Sequence, residues 1–330
     1  MSKTMHSIAL IGAGRIGRIH AGNAAASARL SLTAIVDPMT ASAQALADEY
    51  GAQVRDLDAV MNDPAITGVV IASSTDTHLD YSVRAAKAGK AIFCEKPIDQ
   101  DLERAKSAAD ALSGARLLLA FNRRFDPNFQ ALKARLDAGA VGTLESLQIT
   151  SNDPAPPPPA YVAVSGGLFK DMAIHDFDMA RWLLGEEPVE VYAAGSCLVD
   201  PEIGKLGDID TARTVLKTAS GRLCVISNTR RSGYGYDQRI EAYASNGMVR
   251  ADNLTESTVE VWSEAGAAAD RFQNFFLDRY AEAYRREMDH FADMLDGKAQ
   301  PLAGYADGVA ALTLAEAAAR SLKSGQPVRV

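Results

Sequence analysis

The sequence predicts an α/β protein: an N-terminal doubly wound parallel sheet, then a C-terminal α+β domain with an open, mostly antiparallel sheet. In the first part, short apolar runs alternate with segments of helical periodicity, which is typical of buried parallel strands joined by crossover helices. In the second part, alternating apolar and polar runs are separated by hairpin signals. The 330 residues exceed the size at which single cores usually stop growing, about 250 to 300 residues. We therefore expect two domains, 1–121 and 122–330, leaving open that the last helix packs back on the first domain.

Five apolar runs predict the strands of the first domain. They are rich in Val, Ile, Leu and Phe, and they span 7–11, 31–36, 68–72, 90–94 and 116–121. Helices are predicted between them at 15–27, 40–50, 77–89 and 100–113. This alternation predicts a single parallel sheet with right-handed crossovers.

The pattern changes after Phe121. A helix is predicted near 127–138 and a strand at 144–151, followed by the proline-rich segment 154–159, which we interpret as a stiff loop over the mouth of a ligand site. Strands are then predicted at 189–198, 211–218, 222–229, 237–244 and 247–251. Helices return near 274–296 and 303–324.

A glycine pattern, Gly12-x-Gly14-x-x-Gly17, directly follows the first predicted strand, and Asp37 ends the second. Strand, turn, helix, strand and terminal carboxylate occur in the order of a dinucleotide-binding Rossmann unit. An ordinary β-turn-α corner with glycines for packing is the alternative. We expect the helix N-terminus to receive a pyrophosphate. Asp37 would accept hydrogen bonds from ribose hydroxyls and repel a 2′-phosphate, so NAD is favoured over NADP.

Composition narrows the class of protein. The net charge of −8 argues against nucleic-acid binding, which usually needs a basic face. The three cysteines are widely separated and give neither a metal-binding spacing nor a disulfide framework. The first apolar run is too short for a signal sequence or a membrane span. We therefore expect a cytoplasmic enzyme without nucleic-acid or membrane partners.

A lysine follows the predicted strand 90–94, in the sequence Cys94-Glu95-Lys96-Pro97. In open α/β sheets, ligands bind at the carboxyl ends of the strands, so Lys96 is placed to reach a reacting carbon. The proline that follows is a candidate for a cis peptide bond. A lysine there suits alcohol oxidation, because desolvation and a nearby positive ring favour its neutral form. The alternative is a surface lysine at the start of the next helix.

A second polar set follows Gly166-Gly167, where Asp171, His175 and Asp178 are spaced for one face of a predicted helix. A carboxylate one turn from an imidazole can fix its tautomer, as a general base requires. We therefore expect His175 to take a hydroxyl proton, Lys96 to polarise the same oxygen and Asp171 to align both. Two alternatives remain: a structural histidine, or a metal site built from His175, Asp171, Asp176 and Asp178.

Together these motifs resemble the glucose–fructose oxidoreductase, inositol dehydrogenase and rhizopine-catabolism family. The resemblance covers most of the chain and rests on Gly12–Gly17, the turn Ser73–His78, Glu95-Lys96-Pro97 and the segment from Gly166 to His175. Within the family, the inositol 2-dehydrogenases are most similar. Four further segments carry that likeness: Asn122–Asp126, Ser151–Pro154, Ile174–Arg181, and Arg230-Arg231 with Gly235–Arg239.

The resemblance implies NAD-dependent oxidation of myo-inositol to 2-keto-myo-inositol (scyllo-inosose), in a homotetramer that pairs its open sheets. It implies Lys96, Asp171 and His175 as catalytic residues and no metal. The implied cofactor contacts are Gly12, Gly14, Arg15, Ile16, Gly17, Asp37, Ser73, Ser74, Thr75, His78, Glu95 and Lys96. The implied substrate contacts are Lys96, Arg123, Asn152, Asp153, Asp171, His175 and Tyr236.

Three other functions stay open at this point. The substrate could be another inositol epimer or a pyranose sugar, because relatives acting on those share most of the motifs. A dinucleotide-binding regulator without activity is disfavoured by the presence of Lys96, Asp171 and His175. An oxidoreductase that recycles tightly bound NADP between two sugars is disfavoured by Asp37.

Overall fold

The computed structural model describes residues 5–330 and divides the chain into two compact units. The first unit is the chain up to Phe125 together with residues 283–310. The second unit is residues 126–282 together with residues 311–330. Within the described residues, no helix has the length and apolar character needed to cross a membrane.

The first unit contains a six-stranded parallel sheet with strand order β3-β2-β1-β4-β5-β6. All five predicted strands are present, and the sixth is a two-residue edge strand, β3, that the sequence pattern did not predict. This order reverses between β1 and β4, and ligands of open α/β sheets bind at such a point. The strands are β1 (His6–Ile11), β2 (Leu30–Val36), β3 (Gln53–Val54), β4 (Gly68–Ile71), β5 (Ala91–Glu95) and β6 (Leu117–Ala120).

Helices cover both faces of this sheet, as its nearly continuous burial requires. The predicted helix 100–113 is interrupted at Ala108 and forms two short helices. The helices are α1 (Arg15–Ala26), α2 (Thr40–Tyr50), α3 (Leu57–Asn62), α4 (His78–Lys87), α5 (Leu102–Ser107) and α6 (Ala109–Leu112).

The second unit contains a seven-stranded mixed sheet with strand order β12-β11-β7-β10-β9-β8-β15. Every neighbouring pair is antiparallel except β7 and β10, which run parallel. The predicted α+β domain with an open, mostly antiparallel sheet is therefore confirmed. Its strands are β7 (Leu144–Asn152), β8 (Pro188–Ser196), β9 (Thr211–Thr218), β10 (Leu223–Thr229), β11 (Asp237–Ala244), β12 (Gly247–Ala251) and β15 (Val328–Arg329).

The remaining elements differ in part from the predicted ones. A short helix follows the proline-rich segment, a two-stranded hairpin follows β12, and the predicted helix 274–296 is two helices. The helices are α7 (Pro127–Asp137), α8 (Pro159–Ser165), α9 (Leu168–Asp171), α10 (Ile174–Leu184), α11 (Pro201–Lys205), α12 (Phe276–Arg279), α13 (Ala281–Leu295) and α14 (Tyr305–Ser324). The hairpin is β13 (Glu260–Ser263) and β14 (Gly266–Ala269).

One face of the second sheet exposes large apolar side chains. The strand register aligns Met248, Tyr243 and Leu223 in one row that crosses β12, β11, β7 and β10. Tyr192 on β8 belongs to a row on the same face. Each of these side chains is at least 40% exposed, although apolar residues of this size are usually covered. The sheet is thus open on this face.

Candidate active site

At two of the three glycines in the turn after β1, there is no space for a side chain. Gly12 has a φ of +106°, and a Cβ there would lie 2.4 Å from the Ala72 carbonyl oxygen. A Cβ on Gly17 would lie 2.0 Å from the Gly12 carbonyl oxygen. Gly14, in contrast, has no atom within 4 Å of a Cβ placed on it. The first and third glycines therefore serve the fold, and the second leaves open space beside the turn.

Helix α1 begins at this open space. Gly14 is its N-cap residue, no side chain caps its first turn, and that turn has no acidic residue. Its free N–H groups and positive dipole end thus suit an anionic phosphate. Arg15 is exposed and Ile16 half-buried in this first turn.

Asp37 at the end of β2 binds the glycine turn directly. Its Oδ2 accepts a hydrogen bond from the Ala13 N–H at 2.7 Å, and its Oδ1 accepts one from the Met39 N–H at 2.7 Å. A carboxylate has further lone pairs, so Asp37 can still accept hydrogen bonds from a ribose. The predicted residue therefore lies beside the turn, where it also fixes the turn's backbone.

The turn after β4 carries Ser73, Ser74 and Thr75 on its surface and His78 in its interior. His78 is 2% exposed, and its Nδ1 and Nε2 lie 2.7 Å from the Pro97 carbonyl and 3.1 Å from the Ser73 carbonyl. The ring nitrogens of His78 thus join two loops of the protein, and its contact with a cofactor stays a prediction. Nothing in its sequence spacing distinguishes this buried role from a ligand contact.

Glu95 ends β5 and Lys96 follows it, at the same edge of the sheet as the glycine turn. The Lys96–Pro97 peptide bond is cis. Glu95 Oε1 accepts a hydrogen bond from Nε2 of the buried His20 at 2.7 Å. The sequence reasoning did not assign His20, which packs its ring edge-on against Phe93 at 4.7 Å. This contact fixes Glu95, and thereby the backbone next to Lys96.

A buried carboxyl group, that of Glu287 on helix α13, lies near Glu95. Glu287 is fully buried, and neither carboxyl oxygen has a hydrogen-bond partner among residues 5–330. Burial raises the pKa of Glu287 well above its ordinary value, and the negative charge of Glu95 raises it further. Burial therefore favours the protonated form of Glu287 in the folded protein.

We predict that Glu287→Gln stabilises the protein, and more so as the pH rises. In the unfolded chain this carboxyl loses its proton near its ordinary pKa, whereas in the folded chain its raised pKa means that it loses the proton only at higher pH. Wild-type stability contributed by this group is thus complete below the unfolded pKa and falls as the pH rises toward the folded pKa. Each pKa unit by which the folded chain differs from the unfolded chain changes the free energy of unfolding by up to about 1.4 kcal/mol.

Thermal unfolding of the two proteins at pH 5 and pH 8 measures this effect. The gain in melting temperature should be small at pH 5 and larger at pH 8. The exposed Glu264 offers a matched control, and Glu264→Gln should change neither value. An equal gain at both pH values would show that Glu287 is ionised in the fold.

The spacing of Asp171, His175 and Asp178 predicted a single helix. In the structure, this segment of the second unit forms two helices. Asp171 ends α9 and His175 lies in the first turn of α10. The Leu168 carbonyl accepts hydrogen bonds from both the Met172 and Ala173 N–H groups, which ends α9 before α10 begins. The two side chains are therefore presented by two short helices joined by a tight turn.

The two other carboxylates of this segment are directed into the protein. Asp176 and Asp178 are both completely buried. Asp176 accepts a hydrogen bond from Asn228 Nδ2 at 2.8 Å. Among residues 5–330, no group of three His, Cys, Asp or Glu residues could hold a metal ion. The geometry gives no support to the alternative of a metal site at His175.

Both oxygens of Asp171 have partners within the second unit. Arg230, directly after β10, donates from Nη2 to Oδ2 at 3.1 Å. Tyr161 on α8 donates from Oη to Oδ1 at 2.8 Å. Neither residue was assigned from the sequence, although Arg230 lies in a segment that carried the family resemblance. The sequence signal at this position was two consecutive arginines, Arg230-Arg231, and such residues are common on protein surfaces.

The predicted substrate residues of the second sheet cluster at the end of β7. Asn152 is 8% exposed and donates from Nδ2 to Asp237 Oδ2 at 3.3 Å. The next residue, Asp153, is half-buried, and its N–H donates to the Thr229 carbonyl at 2.9 Å. Tyr234 also donates to Asp237 Oδ2, at 2.7 Å. This end of the sheet therefore presents amide, carboxylate and phenol groups together.

Asp237 is the centre of that cluster. Burial alone would raise the pKa of Asp237, but hydrogen bonds from Arg239, Asn253 and Tyr234 hold it below its ordinary value. Asp237 thus remains charged and keeps Asn152 and Tyr234 in place. The expected contact Tyr236 is instead 7% exposed and packs edge-on against Tyr280, with ring centroids 6.0 Å apart. Its neighbour Tyr234, 57% exposed, is the more accessible tyrosine.

Arg123, the last of the predicted substrate residues, lies in the first unit. It belongs to the 3₁₀ turn Asn122–Phe125 after β6 and is 4% exposed. The neighbouring Arg124 is equally buried and donates to the Leu302 carbonyl and to Asp307. The turn is thus anchored from inside its own unit.

Comparison with known proteins identifies the family. The oxidoreductase family with an NAD-binding Rossmann fold matches residues 6–122, and the GFO/IDH/MocA C-terminal domain matches residues 129–250. The chain belongs to the GFO/IDH/MocA oxidoreductase family. An inositol 2-dehydrogenase from Rhizobium meliloti is 46% identical over 323 residues, which cover 97% of this chain and 98% of that protein.

Two solved structures of this family are similar over the whole chain. A myo-inositol dehydrogenase from Corynebacterium glutamicum has a TM-score of 0.95 at 43% identity and covers 99% of each chain. A scyllo-inositol dehydrogenase from Lactobacillus casei, solved with NAD(H) and scyllo-inositol, has a TM-score of 0.89 at 28% identity and also covers 99% of each chain.

As a member of the GFO/IDH/MocA family, this protein is an NAD-dependent oxidoreductase that acts on CH–OH groups. The glycine turn fits that cofactor. It leaves open space at Gly14, free N–H groups at the start of α1, and the carboxylate of Asp37 beside them. The expectation of NAD as cofactor is confirmed.

Proposed function

We propose that this protein oxidises myo-inositol at one ring hydroxyl to 2-keto-myo-inositol, with NAD as the hydride acceptor. The observation that carries the proposal is the cluster of hydrogen-bonding groups around Asp171, Asn152 and Asp237, which suits a ring that bears six hydroxyls. The names of its relatives, inositol 2-dehydrogenase and myo-inositol dehydrogenase, favour the same substrate class.

We assign three catalytic residues. His175 takes the proton of the reacting hydroxyl, Lys96 polarises the same oxygen, and Asp171 aligns the two. The bound NAD supplies the acceptor for the hydride that leaves the carbon. Removal of the hydroxyl proton and departure of the hydride convert the alcohol to a ketone, so the step needs no other reactant.

We assign the remaining contacts by unit. We propose that residues 1–121 form a dinucleotide-binding domain, which binds the cofactor through the glycine turn, Asp37, the turn at Ser73–Thr75 and Glu95. Residues 122–330 form the substrate domain. We assign substrate contacts to Arg123, Asn152, Asp153 and Tyr236, and the exposed Tyr234 is a further group at the same end of the sheet.

A panel of cyclitols and pyranoses, each with NAD or NADP, tests the proposal. We expect NADH to form with myo-inositol and NAD at mildly alkaline pH, and much less product with NADP because of Asp37. Turnover of glucose but of no inositol would move the protein to the sugar-oxidising branch. Turnover of scyllo-inositol alone would mean that the substrate is a different inositol epimer, oxidised by the same chemistry.

We also propose a cytoplasmic homotetramer that pairs its open sheets. The support is the row of exposed apolar side chains at Met248, Tyr243 and Leu223, with Tyr192 on the same face. Light scattering gives the mass of the assembly. A monomer at micromolar concentration would exclude this arrangement.

A further inference from the structure

Asp171 is held at both carboxyl oxygens by side chains from two separate elements. Tyr161 on α8 donates to Oδ1 at 2.8 Å, and Arg230 after β10 donates to Oδ2 at 3.1 Å. One hydrogen bond leaves a carboxyl group free to rotate about its Cβ–Cγ bond, whereas two bonds on different oxygens fix its plane. The remaining lone pairs of Asp171 then point in set directions.

Arg230 is the rigid member of this pair. It is 1% exposed, and its backbone N–H donates to the Asp210 carbonyl at 2.8 Å. Removing one partner of a buried ion pair is strongly destabilising, because the other charge is left uncompensated. Substitution of Arg230 thus threatens the fold itself, and it does not isolate a role in the reaction.

Tyr161 can be substituted without removing a charge from the buried ion pair of Asp171 and Arg230. Its ring is 48% exposed, and Asp171 holds only its hydroxyl. Burial raises the pKa of the Tyr161 phenol, and the negative charge of Asp171 raises it further. The hydroxyl therefore keeps its proton and donates to Asp171 throughout the working pH range.

The backbone around Tyr161 limits its motion. Helix α8 begins at Pro159 directly after other prolines, and the Tyr161 N–H donates to the Pro158 carbonyl at 2.9 Å. Prolines reduce the number of conformations open to such a segment. The chain thus delivers the hydroxyl to Asp171 from a short, stiff element.

We propose that Tyr161 is a positioning residue for the reaction, which orients the carboxylate of Asp171 without contacting the substrate. This inference rests on the proposed function, in which Asp171 aligns the reacting groups.

Kinetics of Tyr161→Phe test the role, since this change removes only the hydroxyl. We expect kcat to fall about tenfold or more, with the KM for myo-inositol within about threefold of wild type and NAD affinity unchanged. Tyr50→Phe is the matched control, because the Tyr50 hydroxyl forms a hydrogen bond with Glu49 and has no assigned role in the reaction. A raised KM with unchanged kcat would mean that Tyr161 binds the substrate itself. Unchanged kinetics in both variants would overturn the proposal.

A crystal structure of Tyr161→Phe provides a readout that does not depend on any substrate. We expect the Asp171 carboxylate to rotate or to adopt two conformers while Arg230 stays in place. An Asp171 unchanged in orientation would overturn the proposal even if the variant were slow. If wild-type protein oxidised no cyclitol at all, the proposed function would fail, and this structure would still decide whether Tyr161 orients Asp171.

Discussion

Lys96→Met should lower kcat by about 100-fold or more, the usual contribution of a group that assists proton transfer or polarises the reacting oxygen. The side chain follows β5 at the sheet edge that carries the glycine turn, so its loss leaves that turn intact. NAD affinity, measured by fluorescence titration, should stay nearly unchanged. Lys106→Met is a suitable control, since Lys106 is exposed and pairs with Glu103 on the surface of α5.

His175→Asn should cause a loss of similar size, because asparagine retains polarity but cannot take the hydroxyl proton. The double variant with Lys96→Met should lose less than the product of the two single effects, since groups that act as a unit are not additive. A His175 variant that no longer bound NAD would contradict the role assigned to this residue. Full activity in either single variant would remove that residue from the catalytic set.

The second large effect concerns the glycine turn, where Gly14→Ala and Gly17→Ala should separate cofactor binding from folding. A Cβ on Gly17 meets the Gly12 carbonyl oxygen at 2.0 Å, so α1 must move away from β1. Overpacking of this kind typically destabilises by about 1–3 kcal/mol. A Cβ on Gly14 meets no atom within 4 Å, and its φ of −74° is ordinary for alanine.

We therefore expect Gly14→Ala to keep the wild-type melting temperature and to bind NAD about tenfold or more weakly, because the added methyl group blocks the approach of the pyrophosphate. Gly17→Ala should lose both stability and affinity. Calorimetric titration with NAD and thermal unfolding measure the two quantities independently. Unaltered NAD affinity in Gly14→Ala would place the pyrophosphate elsewhere.

Much of this fold could be predicted because its signals are local. Apolar runs located five of the six parallel strands, and the glycine spacing located the turn at their carboxyl ends. The edge strand β3 was missed because two residues carry no periodicity. The break between α9 and α10 was missed because it depends on backbone hydrogen bonds at Leu168, while the side-chain spacing there is that of a continuous helix.

The surroundings of the predicted site residues could not be predicted where distant segments bury a side chain. Tyr236 is covered by Tyr280 and His78 lies between two loops, and neither arrangement has a signal in neighbouring residues. Arg230 finds its partner 59 positions away in Asp171. The buried Glu287 looked like any polar residue of an amphipathic helix. Such contacts arise from tertiary structure, so the spacing of residues in the sequence cannot predict them.

The parallel pairing of β7 with β10 has a consequence for how substrate preference can change. Both strands end at the same side of the sheet, so the chain that leaves β7 toward Tyr161 and Asp171 emerges next to the chain that leaves β10 at Arg230. Residues 154–160 and 162–170 lie outside these strands, so their composition can vary around Tyr161 and Asp171 while the strand pairing stays in place. Exchange of these stretches between related dehydrogenases offers a direct route to new polyol selectivity on an unaltered scaffold.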